Sequence, residues 1–241
     1  MGGIMIQKLS WLNGDLVGQL EEDSIRERLE ALVKLVHEAP FNITGFRTPE
    51  ELWVHGVFDA VQTVQGVRLS EIHTAIDIGS GGGFPGLVLA ILMTSTSWLL
   101  IEARQKRAEY LGYMAERLNL SNTQVIRERA EEFIRHQEEY REWADIVTAR
   151  AVGSLKTTLE LSLPFLKIGG RGLFPKGRTH VRAEVEEARE LCQKLGGNIE
   201  EISVPYGDNG TSQVVRVVKV RATPPQFPRR AKWLGMDITK E

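Results

Sequence analysis

The sequence predicts a doubly wound, Rossmann-like α/β fold. We expect a seven-stranded, mostly parallel sheet with a C-terminal antiparallel hairpin, preceded by an N-terminal helical extension. The first observation is that short apolar runs alternate with helix-like segments from about residue 72 onwards. The second is a glycine-rich turn after the first of these runs, at 79–86. The third is a pair of closing apolar runs separated by turn-forming residues, which is typical of a hairpin.

The first seventy residues are predicted to form a helical extension. Apolar residues recur at helical spacing across residues 15–38, and Pro40 follows them. A second helix is predicted from Thr48 to about Gly66, because Thr48, Pro49 and Glu51 form a capping sequence. We therefore divide the chain into an extension at 1–70, a main domain at 71–221 and a basic, proline-containing tail at 222–241.

The main domain is predicted from its alternating pattern, and its length and 42% hydrophobic content suffice for one sizeable core. Strands are predicted at 74–78, 97–101, 123–127, 144–149, 199–204 and 213–220. Between the fourth of these and the last two, residues 167–177 are predicted to form a glycine turn that leads into a further strand. The helices between them are predicted at 85–93, 104–118, 130–140, 154–166 and 180–195. The segment 205–212 is rich in turn formers, so we expect it to close the hairpin.

The glycine turn after the first strand predicts a nucleoside-binding site. Glycines let the backbone turn sharply and approach a ligand without a Cβ in the way, and here they are Gly79, Gly81 and Gly83. Asp77 precedes them. A carboxylate would repel the pyrophosphate of a dinucleotide, but it would favour S-adenosylmethionine (AdoMet), which carries a sulfonium and an ammonium group. We therefore predict an AdoMet-dependent class I methyltransferase. An NAD(P)-dependent oxidoreductase stays open, because Gly81, Gly83 and Gly86 also match Gly-x-Gly-x-x-Gly.

Further candidate residues follow the other predicted strands. Glu102 ends the second strand, where an acid accepts hydrogen bonds from ribose hydroxyls; the alternative is a solvated strand end. Ala130 and Glu131 follow the third strand, where a backbone amide or polar side chain can bind the adenine edge. Glu131 is equally well explained by the preference for acids in a first helical turn.

Two cations are predicted at the ligand side of the sheet. Arg150 follows the fourth strand and Lys176 ends the fifth, and parallel sheets bind ligands at these ends. Arg150 could face the target or the methionine carboxylate of AdoMet, with a surface salt bridge as the alternative. Lys176 is as well explained by a solvated turn as by function, and both could also anchor RNA phosphates. Six basic residues without an acid between 216 and 232 suggest RNA phosphate contact or a solvated surface equally well.

Composition limits the other possibilities. The net charge of −2 gives no global signal for nucleic acid. Cys192 is the only cysteine and the five histidines are scattered, so we expect neither a disulfide within the chain nor a metal site. No apolar run of 18 residues and no signal peptide is evident, so we expect a cytoplasmic protein without membrane contact. The oligomeric state is not encoded visibly, and a monomer is our expectation.

Several short segments occur in a characteristic order along the chain: Asn42–Thr44, Ile76–Leu87, Lys106–Arg107, Tyr110–Leu111, Ala130–Phe133, Ala149–Ala151, Lys176–Gly177 and Phe227–Ala231. In these segments, over about residues 40–230, the chain resembles the RsmG (GidB) family of bacterial 16S ribosomal RNA methyltransferases. The glycine turn continued by Phe-Pro-Gly is the specific part.

The resemblance implies methyl transfer from AdoMet to N7 of a guanine in the decoding region of 16S rRNA. The partner would be that RNA or the small ribosomal subunit. The resemblance also implies cofactor contacts on Gly79, Phe84, Ala130, Glu131 and Arg150, with Glu102 framing the ribose. No catalytic residue is assigned, because N7 carries a lone pair and no proton.

The chain departs from the family pattern in its second helix. Gly56 stands at the usual histidine position and Ala60 replaces a serine. These changes affect the expected RNA docking and allow a shifted substrate. They leave the predicted cofactor pocket intact. A non-catalytic RNA-binding module of ribosome assembly, which would keep the fold, is a third possibility.

Overall fold

The computed structural model describes residues 20, 22–177, 179–202 and 212–230. Part of the predicted helix at 15–38, nearly all of the predicted turn at 205–212 and the tail beyond residue 230 lie outside the described residues.

A seven-stranded sheet forms the centre of the molecule, with the strand order β3-β2-β1-β4-β5-β7-β6. The strands are β1 (Thr74–Ile78), β2 (Ser97–Ile101), β3 (Thr123–Ile126), β4 (Ala144–Ala149), β5 (Leu166–Gly177), β6 (Gly197–Ile202) and β7 (Ser212–Lys219). Strand β7 runs antiparallel to both β5 and β6, and the other pairs are parallel. The predicted mostly parallel sheet with a C-terminal hairpin is thereby confirmed.

The helices flank this sheet and largely follow the prediction. They are α1 (Asp23–His37), α2 (Pro49–Glu51), α3 (Asp59–Thr63), α4 (Gly86–Leu92), α5 (Gln105–Arg117), α6 (Ala130–His136), α7 (Leu155–Ser162) and α8 (Val181–Lys194). Helix α7 ends four residues earlier than predicted, in a 3₁₀ turn at Leu163–Phe165. The reason is Pro164, which has no N–H to continue the helical hydrogen bonds.

The N-terminal extension packs on α4 and shares its hydrophobic core. Every residue of α4 is buried, which requires cover on the side that faces away from the sheet. Helix α1 supplies part of that cover through Leu29 and Leu32, both almost fully buried. The second predicted helix begins at the expected Thr48 capping box but changes to a π-helical turn at Leu52–Phe58 before α3. The predicted N-terminal helical extension is therefore confirmed.

The described part of the C-terminal segment packs against the helices on the other face of the sheet. Arg141 donates to the carbonyls of Thr223, Pro224 and Phe227. Arg229 binds Glu160 of α7, which is fully buried, through its backbone N–H and its guanidinium at 2.6–3.1 Å. These bonds attach the segment 222–230 to Arg141 and to α7.

Several of the basic residues considered for RNA contact have internal partners instead. Lys219 is buried and donates to the Leu163 and Leu166 carbonyls and to the Thr223 hydroxyl. Burial lowers the pKa of Lys219 to about 8. Because Lys219 is buried and Arg229 is bound to Glu160, neither supports the predicted contact with RNA phosphate. Lys232 lies outside the described residues.

No helix within the described ranges is long and apolar enough to cross a membrane.

We expect Arg229→Gln to destabilise the protein more than Glu160→Gln does. Losing the arginine leaves a buried carboxylate without its counter-charge, at a cost of about 3 kcal/mol. Losing the carboxylate leaves a half-exposed guanidinium that water can solvate, at a cost of about 1 kcal/mol. Urea unfolding measures both. Glu186→Gln, which breaks the exposed Glu186–Arg189 pair, is the control and should leave the midpoint of urea unfolding close to that of the wild type. Equal losses for the first two variants would contradict the ordering.

Candidate active site

A cleft of about 580 Å³ opens at the carboxyl ends of the first four strands. Strand order reverses between β1 and β4, and ligands of open α/β sheets bind at such a switch point. Residues that follow β1, β2, β3 and β4 all contribute to the lining. Of the predicted cofactor residues, those lining this cleft are Gly79, Glu102, Ala130 and Glu131.

Asp77 lies behind the cleft, at the base of the glycine turn. Its side chain is buried; one carboxylate oxygen accepts from the Thr148 hydroxyl at 2.7 Å and the other from the Gly86 N–H at 3.2 Å. Thr148 is its register partner on β4. Burial raises the pKa of Asp77 to about 6, against the opposing effect of these hydrogen bonds. The carboxylate therefore organises the turn directly and can act on a ligand only through its field.

The glycine turn adopts backbone angles that side chains disfavour. Gly79, Gly81 and Gly83 have φ values of +70°, +50° and +85°. A Cβ on Gly79 would lie 2.8 Å from Cγ2 of Val152, so the loop after β4 rests directly on this glycine. Gly81 is less confined, since its Cβ would meet nothing within 3.7 Å. Gly79 is thus the point where the two loops of the cleft touch.

Glu102 joins the end of β2 to the glycine turn. Its carboxylate accepts from the backbone N–H of Gly81 at 3.0 Å and of Arg104 at 2.9 Å. Glu102 is buried except for a small part of its surface, and it lines the cleft. This position is the one predicted for a ribose acceptor, and the solvated alternative does not describe it.

Ala130 and Glu131 begin α6 at the far wall of the cleft. Glu131 is buried and accepts from Nε of Arg129 at 2.7 Å. Glu131 is therefore compatible with both interpretations. It lies in the first turn of a helix, where acids are favoured, and it also borders the cleft, where it could contact an adenine.

Arg150 points away from the cleft and towards the N-terminal extension. It donates to the His55 carbonyl at 2.5 Å, and its guanidinium lies 5.5 Å and 5.6 Å from the ring centroids of Phe46 and Phe84. Burial lowers the pKa of Arg150, whereas Asp59 and Asp77 oppose that shift. The structure thus brings the predicted residues Phe84 and Arg150 together outside the cleft lining. With Phe46 they form a wall that joins the N-terminal extension to the glycine turn.

Gly56 gives this wall its close packing. A Cβ at residue 56 would lie 2.8 Å from Cε1 of Phe84, so any larger side chain would require the ring to move. Gly56, which departs from the family pattern, therefore leaves the space that the Phe84 ring occupies.

Lys176 also has internal partners. Its ammonium group donates to the Gly153 carbonyl at 2.7 Å and to the Glu184 carboxylate at 3.0 Å. The predicted solvated-turn alternative does not fit this largely buried side chain.

Sequence reasoning missed two parts of the cleft. The loop 151–154 lines it, and three arginines border it: Arg104, Arg107 and Arg129. Gly153 and the Lys106–Arg107 pair were the available signals, but neither indicates on its own which way a loop or a side chain points. Across the described ranges, no cluster of three or more histidine, cysteine or acidic side chains could hold a metal ion.

The profile of a protein family described as "rRNA small subunit methyltransferase G" matches residues 25–213. The chain belongs to this GidB family. Two relatives named ribosomal RNA small subunit methyltransferase G illustrate the match. The Oenococcus oeni protein is 32% identical, covering 82% of this chain and 81% of its own. The Thermotoga neapolitana protein is 33% identical, covering 88% and 90%.

Solved structures show that the GidB-family chain has the class I methyltransferase fold. The Thermus thermophilus 16S rRNA N2 G1207 methyltransferase, solved with AdoMet and guanosine, is 19% identical with a TM-score of 0.50, covering 76% of this chain and 42% of its own. An AdoMet-dependent O-methyltransferase from Thermotoga maritima is 18% identical with a TM-score of 0.52, covering 80% and 72%. At such identities the likeness concerns the fold alone.

The charged lining of the cleft in this GidB-family member suits AdoMet. Carboxylates and guanidinium groups both line it, and they suit a ligand that carries an ammonium, a sulfonium and a carboxylate. The third glycine of the dinucleotide pattern does not discriminate between the two ligands. A Cβ on Gly86 would lie 2.6 Å from the Asp77 carboxylate, so Gly86 lets α4 pack closely on β1, and this is the role of the third glycine in dinucleotide folds as well. The family match is what argues against the oxidoreductase interpretation.

We expect Gly79→Ala to weaken S-adenosylhomocysteine binding at least tenfold, about 1.4 kcal/mol. The added methyl group would push Val152 and its loop out of place, and the positive φ adds strain. Gly81→Ala is the matched control: it adds a similar strain in the same turn but meets no close atom, so its effect should be at least threefold smaller. Calorimetric titration measures both, and equal effects would contradict this account of the cleft.

Proposed function

We propose that this protein transfers a methyl group from AdoMet to N7 of a guanine in the decoding region of 16S rRNA. The proposal is carried by one observation: a chain of the GidB family has a cleft at the switch point of a class I fold. Gly79, Glu102 and Glu131 line this cleft. The choice of N7 and of the decoding region rests on the resemblance of its motifs to that family.

The proposed chemistry asks little of the protein beyond positioning. AdoMet supplies an electrophilic methyl group on a positively charged sulfur. Guanine N7 is an acceptor with a lone pair and no proton, so no general base is needed. Holding the reacting atoms in line then provides most of the rate enhancement.

We assign the residues of the cleft to the cofactor as follows. Glu102 would accept hydrogen bonds from the ribose hydroxyls in addition to its backbone donors. Ala130 and Glu131 would border the adenine. Gly79 would let the ligand approach the backbone, while Asp77, Gly81 and Gly83 would shape the turn from behind. Phe84 and Arg150 would form the wall towards the RNA side, so that the N-terminal extension completes the site.

The RNA is proposed to approach over the mouth of the cleft, where Arg104 and Lys106 are exposed. Contacts from such side chains to phosphates would position the RNA without reading its sequence. N7 in a structured RNA becomes accessible in a loop or through an extruded base. We further propose that a monomer acts in the cytoplasm, on the small subunit or on its free RNA.

Mapping of methylated guanines in 16S rRNA tests this function. We expect one guanine in the decoding region to carry an additional methyl group in cells with the protein and to lack it in cells without it. Mass spectrometry locates the group, and chain cleavage after borohydride reduction and aniline treatment identifies it as N7-methylguanine. Complementation with wild-type protein should restore the signal, and Gly79→Ala should restore it only partly.

Identical methylation with and without the protein would contradict the proposal. Binding of the RNA without transfer of label from methyl-tritiated AdoMet would favour the non-catalytic module instead. Comparison of naked 16S rRNA with assembled subunits in the same assay identifies the form of the substrate.

A further inference from the structure

The loop between β4 and α7, residues 151–154, is held in an unusual conformation beside the cleft. Ala151 has a φ of +57° although it is not glycine, and Gly153 has a φ of +143°. The angle at Ala151 costs free energy and persists where surrounding contacts enforce it, whereas Gly153 adopts its angle without a clash because it has no Cβ. Val152, between them, is the side chain that rests on Gly79. The position of this loop therefore sets the width of the cleft above the glycine turn.

Two charged side chains from outside the loop hold its C-terminal end. Lys176, at the end of β5, donates to the Gly153 carbonyl at 2.7 Å. Glu184, on α8, accepts from the Leu155 N–H at 2.7 Å, at the first residue of α7. Lys176 and Glu184 bind each other at 3.0 Å, so one ion pair fixes the carbonyl and the N–H on either side of Ser154. Neither of the two side chains lines the cleft.

We propose that Lys176 and Glu184 are positioning residues that set cofactor affinity by holding the loop 151–154 against Gly79. This inference rests on the proposed function, because it assigns the cleft to AdoMet. It differs from a role for Lys176 as an anchor for RNA phosphate, since the ammonium group is already occupied by a carbonyl and a carboxylate.

The two roles predict opposite results for Glu184→Gln. If Lys176 positions the loop, neutralising Glu184 places an amide beside the ammonium group and loosens the loop, so cofactor affinity falls. If Lys176 anchors phosphate, the same change removes a competing negative charge, so RNA affinity rises and cofactor affinity is unchanged.

The chain offers a matched control on the same two helices. Lys156 of α7 and Glu187 of α8 form a pair at 3.5 Å that is exposed on both sides and does not touch the loop. Glu187→Gln thus removes one carboxylate from α8, as Glu184→Gln does, without altering the loop contacts.

The experiment measures S-adenosylhomocysteine binding by calorimetry, and KM and kcat for both substrates, for wild type, Glu184→Gln, Lys176→Met, Lys176→Arg and Glu187→Gln. We expect Glu184→Gln and Lys176→Met to raise the dissociation constant and the KM for AdoMet at least fivefold. The KM for RNA and the kcat should stay within twofold. Lys176→Arg, which keeps donors for both partners, should recover most of the affinity, and Glu187→Gln should match wild type within twofold.

Unchanged cofactor affinity in Glu184→Gln and Lys176→Met would overturn the inference. So would a higher RNA KM with a shallower salt dependence in Lys176→Met, which is the signature of a lost phosphate contact. A fall in melting temperature without any change in KM would also overturn it, because it would indicate a role in stability only. If wild type and Glu187→Gln themselves fail to bind the ligand, the proposed function fails, which distinguishes the two cases.

Discussion

The buried carboxylate of Asp77 is the interaction on which the site depends. It accepts from Thr148 on β4 and from Gly86 at the start of α4, so it ties together a strand, a helix and the glycine turn between them. Gly86 has no Cβ, which is what allows the helix to begin so close to the carboxylate. Two other parts of the cleft contact this turn: Glu102 accepts a hydrogen bond from the Gly81 N–H, and Val152 rests on Gly79.

Burying Asp77 lowers the stability of the protein at neutral pH, and packing outside the cleft holds the glycine turn in place. Burial raises the pKa of Asp77 from 3.8 to about 6, so its favourable contribution to folding is present below about pH 4 and is lost as the pH rises through about 6. An ionised carboxylate is therefore kept in the interior at neutral pH at the expense of stability, which is common at functional sites. The all-round burial of α4 by the sheet and the N-terminal extension holds the other end of the turn. Arg150, between Phe46 and Phe84, links that extension to the same turn.

Periodicity and turn chemistry predicted the fold well because they are local properties. The strands, the Thr48 capping box and the C-terminal hairpin follow from residues that are close in sequence. The directions of side chains at the site were not predictable in this way. Arg150 and Lys176 stand at strand ends, where the chain order suggests ligand contact. The carbonyls that they bind, of His55 and Gly153, lie 95 and 23 residues away along the chain. Lys219 and Arg229 looked like surface charges for the same reason, although their partners bury or fasten them.

The most direct test of the role of Asp77 compares AdoMet with S-adenosylhomocysteine, which lacks the methyl group on sulfur and the positive charge that comes with it. The pH dependence of the ratio of their affinities isolates the effect of the charge, because the methyl group is the same at every pH. We expect the preference for AdoMet over S-adenosylhomocysteine to fall at least threefold between pH 7.5 and pH 5.5 in the wild type, as Asp77 takes up a proton near pH 6. Asp77→Asn should show the lower preference at both pH values. A ratio of the two affinities that is independent of pH in the wild type, and equal in the variant, would contradict the claim that this carboxylate selects a positively charged methyl donor.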